Sequence, residues 1–153
     1  MKGVFPRLVI GIAVTALLGV SVIPVSAAPT GPTLDVANPV AGTYLRRGRH
    51  MIGGVACDKT AKTGTGVDSV TAFLGNRDAA GNAVFVPGGF LGSATLGLPT
   101  TGTACAGVTG AGWSLKTKSL KKGSYTLFVY ARSSVTGSET VMQIPIRVDK
   151  PKK

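Results

Sequence analysis

Polar and apolar residues alternate along three segments near the C-terminus of the chain. Such period-two alternation is typical of β-strands with one buried face, because successive side chains point to opposite sides of a sheet. Residues 121–123 and the polar stretch 133–138 separate the segments and predict two turns. Pro145 has no backbone N–H, so we expect the last strand to be an edge strand or to bulge there. The in-phase positions are Trp113, Leu115 and Thr117; Tyr125, Leu127, Val129 and Ala131; and Met142, Ile144, Ile146 and Val148.

Shorter strands are predicted between residue 33 and the C-terminal segments. The clearest spans residues 67–74, where Val70, Ala72 and Leu74 are in phase. Seven to nine short strands, joined by links too short for crossover helices, indicate an all-β antiparallel sandwich. The other candidates are residues 33–37, 50–57, 83–86 and 90–96, of which the last two are broken apart by Pro87-Gly88-Gly89.

A targeting segment precedes the predicted sandwich. Lys2 and Arg7 are followed by the eighteen uncharged residues 8–25 and by small residues up to Ala27. This order predicts a secretory signal peptide cleaved after Ala27. An uncleaved anchor helix is the alternative, because eighteen residues are near the minimum that spans a membrane. The predicted organisation is a signal peptide at 1–27, an extended leader at 28–32, the sandwich at 33–149 and a basic tail at 150–153.

The chain contains two cysteines, Cys57 and Cys105. In an exported protein an even number of cysteines predicts a disulfide, and two buried free thiols are the alternative. The bond would close a loop of 105 − 57 = 48 residues, which the chain-entropy model values at about 4 kcal/mol of stability. We expect reduction to weaken the fold without abolishing it, because the mature chain is long enough to bury its own core.

Five segments of the chain resemble the bacterial immunoglobulin-like modules of secreted and cell-surface proteins. The resemblance implies an immunoglobulin-like β-sandwich and an extracellular or cell-surface location. It implies neither a common ligand nor catalytic residues, because this fold carries many functions. The segments are residues 53–58 (GGVACD), 64–70 (GTGVDSV), 90–94 (FLGSA), 112–115 (GWSL) and 123–133 (GSYTLFVYARS).

Single positions refine this resemblance. Tyr125 occupies the place of a tyrosine corner, which implies a hydroxyl group bonded back to the backbone. Leu127 stands where antibody domains have their second core cysteine, and Trp113 comes later in the chain than their core tryptophan. The resemblance therefore implies that Cys57 pairs with Cys105 in the long loop instead.

The sequence carries no motif for catalysis or for a cofactor. His50 is the one histidine, and it lies beside three arginines with no neighbouring carboxylate to orient its ring. We therefore expect a protein that is not an enzyme, with His50 in solvent at a strand end. Two cysteines and one histidine are too few for a zinc site. Asp58 and Asp68 flank one loop, and their carboxylates could bind calcium or form ordinary hydrogen bonds within the loop. Calcium usually takes six or more oxygen ligands, so we favour the hydrogen bonds.

The chain is strongly basic, with a formal net charge of +11. Such a charge serves solubility, or it attracts anionic polymers such as teichoic acids, lipid phosphates, acidic glycans or extracellular nucleic acid. Nothing in the sequence resembles a dedicated nucleic-acid-binding fold. The basic residues form one cluster at Arg46, Arg47 and Arg49, a second at Lys116, Lys118, Lys121 and Lys122, and a third in the tail at Lys150, Lys152 and Lys153.

A second candidate site is the outer face of one predicted sheet. Phe73, Phe128, Tyr130, Arg132 and Arg147 are predicted to point outward from three neighbouring strands. Aromatic rings beside guanidinium groups suit sugar faces and anionic substituents. The alternative is that arginine stems and the connection 75–90 cover Phe128 and Tyr130.

Together these features predict a secreted, non-catalytic module that binds or adheres at the bacterial cell envelope. Its partner would be an anionic envelope polymer or another surface protein. The alternative is a structural or accessory domain of an extracellular assembly, with no specific small ligand. No transmembrane segment is expected after removal of the signal peptide. Retention on envelope material that weakens with salt separates binding from a purely structural role.

Overall fold

The computed structural model describes residues 31–149 of the 153-residue chain. The predicted signal peptide, most of the predicted leader and the basic tail lie outside the described residues. Within 31–149 the chain forms nine β-strands and no helix, so this part has no helix long and apolar enough to cross a membrane. The strands are β1 (Thr33–Asn38), β2 (Thr43–Arg46), β3 (Met51–Cys57), β4 (Val67–Arg77), β5 (Ala83–Ser93), β6 (Thr95–Leu98), β7 (Gly112–Lys116), β8 (Gly123–Ser133) and β9 (Glu139–Asp149).

The strands form two sheets that pack face to face. One sheet has four strands in the order β1-β3-β7-β6, and the other has five in the order β2-β9-β8-β4-β5. All neighbouring strands are antiparallel except β2 and β9, which run parallel over four residue pairs. This arrangement confirms the predicted immunoglobulin-like β-sandwich.

The core lies between the sheets and consists of the inward-facing positions of the strands. Leu127 and Val129 of β8 and Ile144 and Ile146 of β9 are at most 4% exposed, and Trp113 of β7 packs in the same cluster. Burying such a side chain stabilises the fold by roughly 1.5–3 kcal/mol. The inward phase predicted for these three strands is confirmed.

The two ends of the sandwich carry different loops. One end has the turn after β2, residues 47–50, and the β7–β8 connection, residues 117–122; Met51 pairs with Lys116 beside them. The opposite end has the β3–β4 loop, residues 58–66, and the long β6–β7 connection, residues 99–111. The basic clusters and the cysteines therefore lie at opposite ends of the molecule.

β5 is a single strand rather than the two short strands predicted from residues 83–86 and 90–96. Its register with β4 shifts between the pairs Phe90–Phe73 and Phe85–Gly75, because β5 spans 90 − 85 = 5 residues where β4 spans 75 − 73 = 2. The extra residues form a bulge around Pro87-Gly88-Gly89, and strand pairing resumes beyond it. The prediction of a break at Pro87-Gly88-Gly89 is therefore wrong.

Tyr125 of β8 and Pro145 of β9 both occupy positions that agree with the sequence. The Tyr125 hydroxyl donates a hydrogen bond to the carbonyl of Lys122 at 3.3 Å, which confirms the tyrosine corner. β2 pairs with β9 only from Ile146 onward, so β9 is an edge strand as far as Pro145. The missing N–H of Pro145 thus falls where the ladder has a single neighbouring strand.

Candidate functional site

A backbone bridge joins the turn after β2 to the β7–β8 connection. Leu120 N–H donates to the Gly48 carbonyl at 2.7 Å, and Gly48 N–H donates to the Leu120 carbonyl at 3.3 Å. Gly48 has a φ of 129°, a conformation that L side chains rarely adopt. Leu120 is 4% exposed and anchors the connection in the core. The bridge therefore holds two segments together that are 72 residues apart in sequence.

His50 and Thr117 reinforce the same junction. Thr117 N–H donates to the His50 carbonyl at 2.8 Å, and the Thr117 hydroxyl accepts a hydrogen bond from His50 N–H at 2.9 Å. The Nε2 atom of His50 lies 2.6 Å from the Arg46 carbonyl oxygen. His50 is therefore a half-buried structural residue of the turn, which corrects the expectation of a solvated histidine.

This junction brings the two predicted basic clusters together on one surface, here called the basic end. All seven side chains are exposed, and they account for seven of the 17 lysines and arginines of the chain. Lys122 is 3.6 Å from Asp149, and within residues 31–149 no other member has a carboxylate within 4.0 Å. The members are Arg46, Arg47, Arg49, Lys116, Lys118, Lys121 and Lys122.

The basic end is concave between its arginine and lysine segments. Arg49, Lys116 and Lys118 line a depression of about 290 Å³, together with Thr117 and Ser119. Cations held around a depression attract an anion from several sides, and the hydroxyl group of the exposed Ser119 can donate a hydrogen bond to one of its oxygens. The geometry suits phosphate, sulfate or carboxylate groups on a larger molecule.

The rings of the second predicted site form a cluster with two further phenylalanines. Phe73 lies 5.9 Å from Tyr130, 4.8 Å from Phe85 and 5.1 Å from Phe90 between ring centroids. Phe85 also lies 5.5 Å from Phe128, edge to face. Phe85 and Phe90 are not among the residues predicted for this site, although both belong to β5 on the same side of the sheet.

Phe128 cannot contact a ligand on this face. It is 0% exposed, because the side chain of Phe85 covers it and Gly75 leaves room for its ring. Phe85 and Phe90 take the exposed positions instead, at 44% and 43%. The alternative in which residues between 75 and 90 cover Phe128 therefore describes this position correctly.

The two arginines of the predicted face lie apart from each other. Arg132 forms an ion pair with Asp68 at 3.0 Å, near the end of β8 that leads to the β8–β9 turn. Arg147 lies over the ring of Tyr44, 5.7 Å from its centroid, on the opposite side of β9 from β8. The five predicted residues thus do not form one continuous binding surface.

The predicted disulfide between Cys57 and Cys105 is present, with a Cα–Cα distance of 5.9 Å. Both cysteines are 0% exposed and form a small cluster with Val55 and Ala111, separate from the main core. The bond fixes the long β6–β7 connection to the end of β3.

Asp58 organises the same end of the molecule through hydrogen bonds. Its carboxylate accepts hydrogen bonds from the Ser133 hydroxyl and from the backbone and side chain of Thr60. These hydrogen bonds, first of all that from Ser133, hold the pKa of Asp58 below its usual value. Asp68 faces Arg132 instead, and residues 31–149 contain no group of three or more metal-ligating side chains.

Comparisons with known proteins give similarity at the level of the fold. No protein-family model matches the sequence, and no curated protein matches it significantly. The fibronectin(III)-like modules of CbhA from Clostridium thermocellum are 19% identical, with a TM-score of 0.43; the match covers 76% of this chain, which spans only 46% of that structure's length. CopC from Methylosinus trichosporium OB3b is 17% identical, with a TM-score of 0.42 and coverage of 78% of this chain and 94% of that one.

Proposed function

We propose that this protein is a secreted, non-catalytic binding module that attaches to phosphate-rich anionic polymers of the bacterial cell envelope through its basic end. The observation that carries the proposal is the Gly48–Leu120 bridge, which unites two basic clusters into one concave surface. Within residues 31–149, Asp149 has the one carboxylate that lies within 4.0 Å of any of these seven cations. The buried disulfide is compatible with an oxidising, extracytoplasmic compartment.

A polymer suits this surface better than a small anion does. The charges are exposed and the depression is open, so each contact with a single anion is weak in water. A chain of phosphates makes several such contacts at once and releases counterions from its own atmosphere. Binding should therefore weaken steeply with salt, because exposed charges are screened over about 8 Å at 0.15 M ionic strength.

The test is the salt concentration that elutes the purified protein from immobilised poly(glycerol phosphate). The variant Arg47→Gln, Lys118→Gln, Lys121→Gln removes three charges from the basic end and should elute at clearly lower salt. The matched control, Lys59→Gln, Lys62→Gln, Arg132→Gln, removes three exposed charges at the opposite end of the molecule and should elute close to wild type. Equal shifts for both variants, or no retention of the wild type at about 0.15 M salt, would contradict the proposal.

The alternative function is that of a structural domain in an extracellular assembly, and the open edge of β5 favours it. β5 is the outermost strand of its sheet, and its Val84, Phe85 and Phe90 are 43–51% exposed. Apolar groups on a sheet edge favour association with a second copy of the chain. Sedimentation velocity distinguishes the two functions: concentration-dependent self-association that Phe85→Ser abolishes, without polymer binding, would support the structural role.

A further inference from the structure

The β5 bulge stands at the edge of the five-stranded sheet and forms one wall of a cleft. Pro87 is followed by Gly88, whose φ of 69° is the positive φ that a type II turn requires after its proline. A side chain at Gly89 would place its Cβ 2.4 Å from the Leu74 carbonyl oxygen, so glycine is required there. The shape of this wall is therefore built into the sequence Pro87-Gly88-Gly89.

The β7–β8 connection forms the opposite wall. Leu74, Leu91 and Leu120 line the cleft and belong to the buried core, and Tyr125 lines it as well. The volume is about 240 Å³, which holds roughly eight groups of the size of a water molecule. A cleft with leucine side chains at its base favours an alkyl segment over a polar one, because the apolar surfaces leave water together.

Two members of the basic end, Lys118 and Lys121, also line this cleft. The Lys118 ammonium lies 5.8 Å from the centroid of Phe90, and Lys118 and Ser119 are shared with the depression beside Arg49. The cleft therefore opens onto the surface that we assign to polymer binding. Its charge is complementary to an anionic group that follows directly on an alkyl chain.

We propose that this cleft binds an alkyl segment next to the phosphate of a lipid-linked envelope polymer, with the phosphate between Lys118 and Lys121. This inference rests on the proposed function and specifies its ligand. The cleft would bind the lipid-bearing end of the polymer rather than its repeating chain. The repeating phosphates would then lie along the rest of the basic end, towards Arg49 and Lys116.

The test uses octyl phosphate, octanol and inorganic phosphate as separate probes in calorimetric titrations of the purified protein. Octyl phosphate should bind at least tenfold more tightly than either of the other two. Ser119→Trp places a large side chain at the cleft and should reduce octyl phosphate binding at least tenfold. Its matched control is Ser134→Trp, an exposed serine at the opposite end of the molecule, which should bind as wild type does.

A second variant covers the case in which the tryptophan turns away from the cleft. Val86→Asn introduces a polar group into the bulge wall and should also weaken octyl phosphate binding, with the fold checked by circular dichroism. The proposal is overturned if wild type binds octyl phosphate no better than inorganic phosphate, or if both variants bind it as wild type does. Retention of the wild type on poly(glycerol phosphate) distinguishes failure of the cleft proposal from failure of the proposed function. If the wild type is retained, the proposed function stands without the cleft. If the wild type is not retained, both proposals fail.

Discussion

Replacing both disulfide cysteines, as Cys57→Ala, Cys105→Ala, should lower the free energy of unfolding by about 4 kcal/mol. The bond closes a loop of 48 residues. In the chain-entropy model such a cross-link removes about 14 cal/mol/K of entropy from the unfolded chain, or about 4 kcal/mol at room temperature. The variant should still fold, because the main core between the sheets contains neither cysteine.

The measurement is urea unfolding followed by the fluorescence of Trp113, the one tryptophan of the chain and only 2% exposed when folded. The variant should unfold at lower urea with a larger m-value, because an unfolded chain without the cross-link exposes more surface. Reduced wild-type protein is the matched control, since it keeps both sulfur atoms and loses only the bond. A loss below about 1 kcal/mol in both proteins would refute the reasoning, because the cross-link would then not constrain the unfolded chain.

Three further substitutions test other parts of the structure. Ser133→Ala should cost about 1–3 kcal/mol at pH 7, since the buried Asp58 carboxylate loses one donor and two part-buried N–H groups of the β8–β9 turn lose their acceptor. The pKa of Asp58 is lowered in the folded state, so its contribution to stability is complete above the usual value of 3.8. The difference in urea midpoint between variant and wild type should therefore narrow as the pH falls below 3.8. Gly54→Ala would bring a Cβ within 2.0 Å of a backbone oxygen of β1 and should destabilise the protein by at least about 1–3 kcal/mol in the same titration. Phe85→Ala should uncover Phe128 and increase binding of a dye for apolar surfaces, and unchanged dye binding would contradict the covering role.

The sequence predicts the parts of the fold that depend on local alternation. The buried faces of β7, β8 and β9 follow from their period-two pattern, because a shift of one residue would turn every apolar side chain of the strand towards solvent. β5 was less predictable, since Pro87-Gly88-Gly89 is equally typical of a chain break and of a bulge. Only its pairing with β4 on either side distinguishes the two.

The candidate sites depend on contacts between distant segments, which a single sequence does not specify. The two basic clusters were found, but their union required the bridge between Gly48 and Leu120. The only sequence signal for that union was the glycine in the middle of an arginine cluster. The alternation along β8 predicts the correct side for Phe128, but its burial depends on Phe85, whose position relative to β8 is set by the β4–β5 hairpin.

The parallel pairing of β2 with β9 affects how the module responds to force. β1 begins at Thr33 near the disulfide, whereas β9 ends at Asp149 at the basic end, so tension between these residues acts along the length of the sandwich. Pulling in that direction slides β2 along β9 and β1 along β3, and their hydrogen bonds must break together rather than one by one. A module held at its basic end and pulled from Thr33 should therefore resist extension. Single-molecule pulling in this direction should give a higher unfolding force than pulling that peels β5 from its sheet edge.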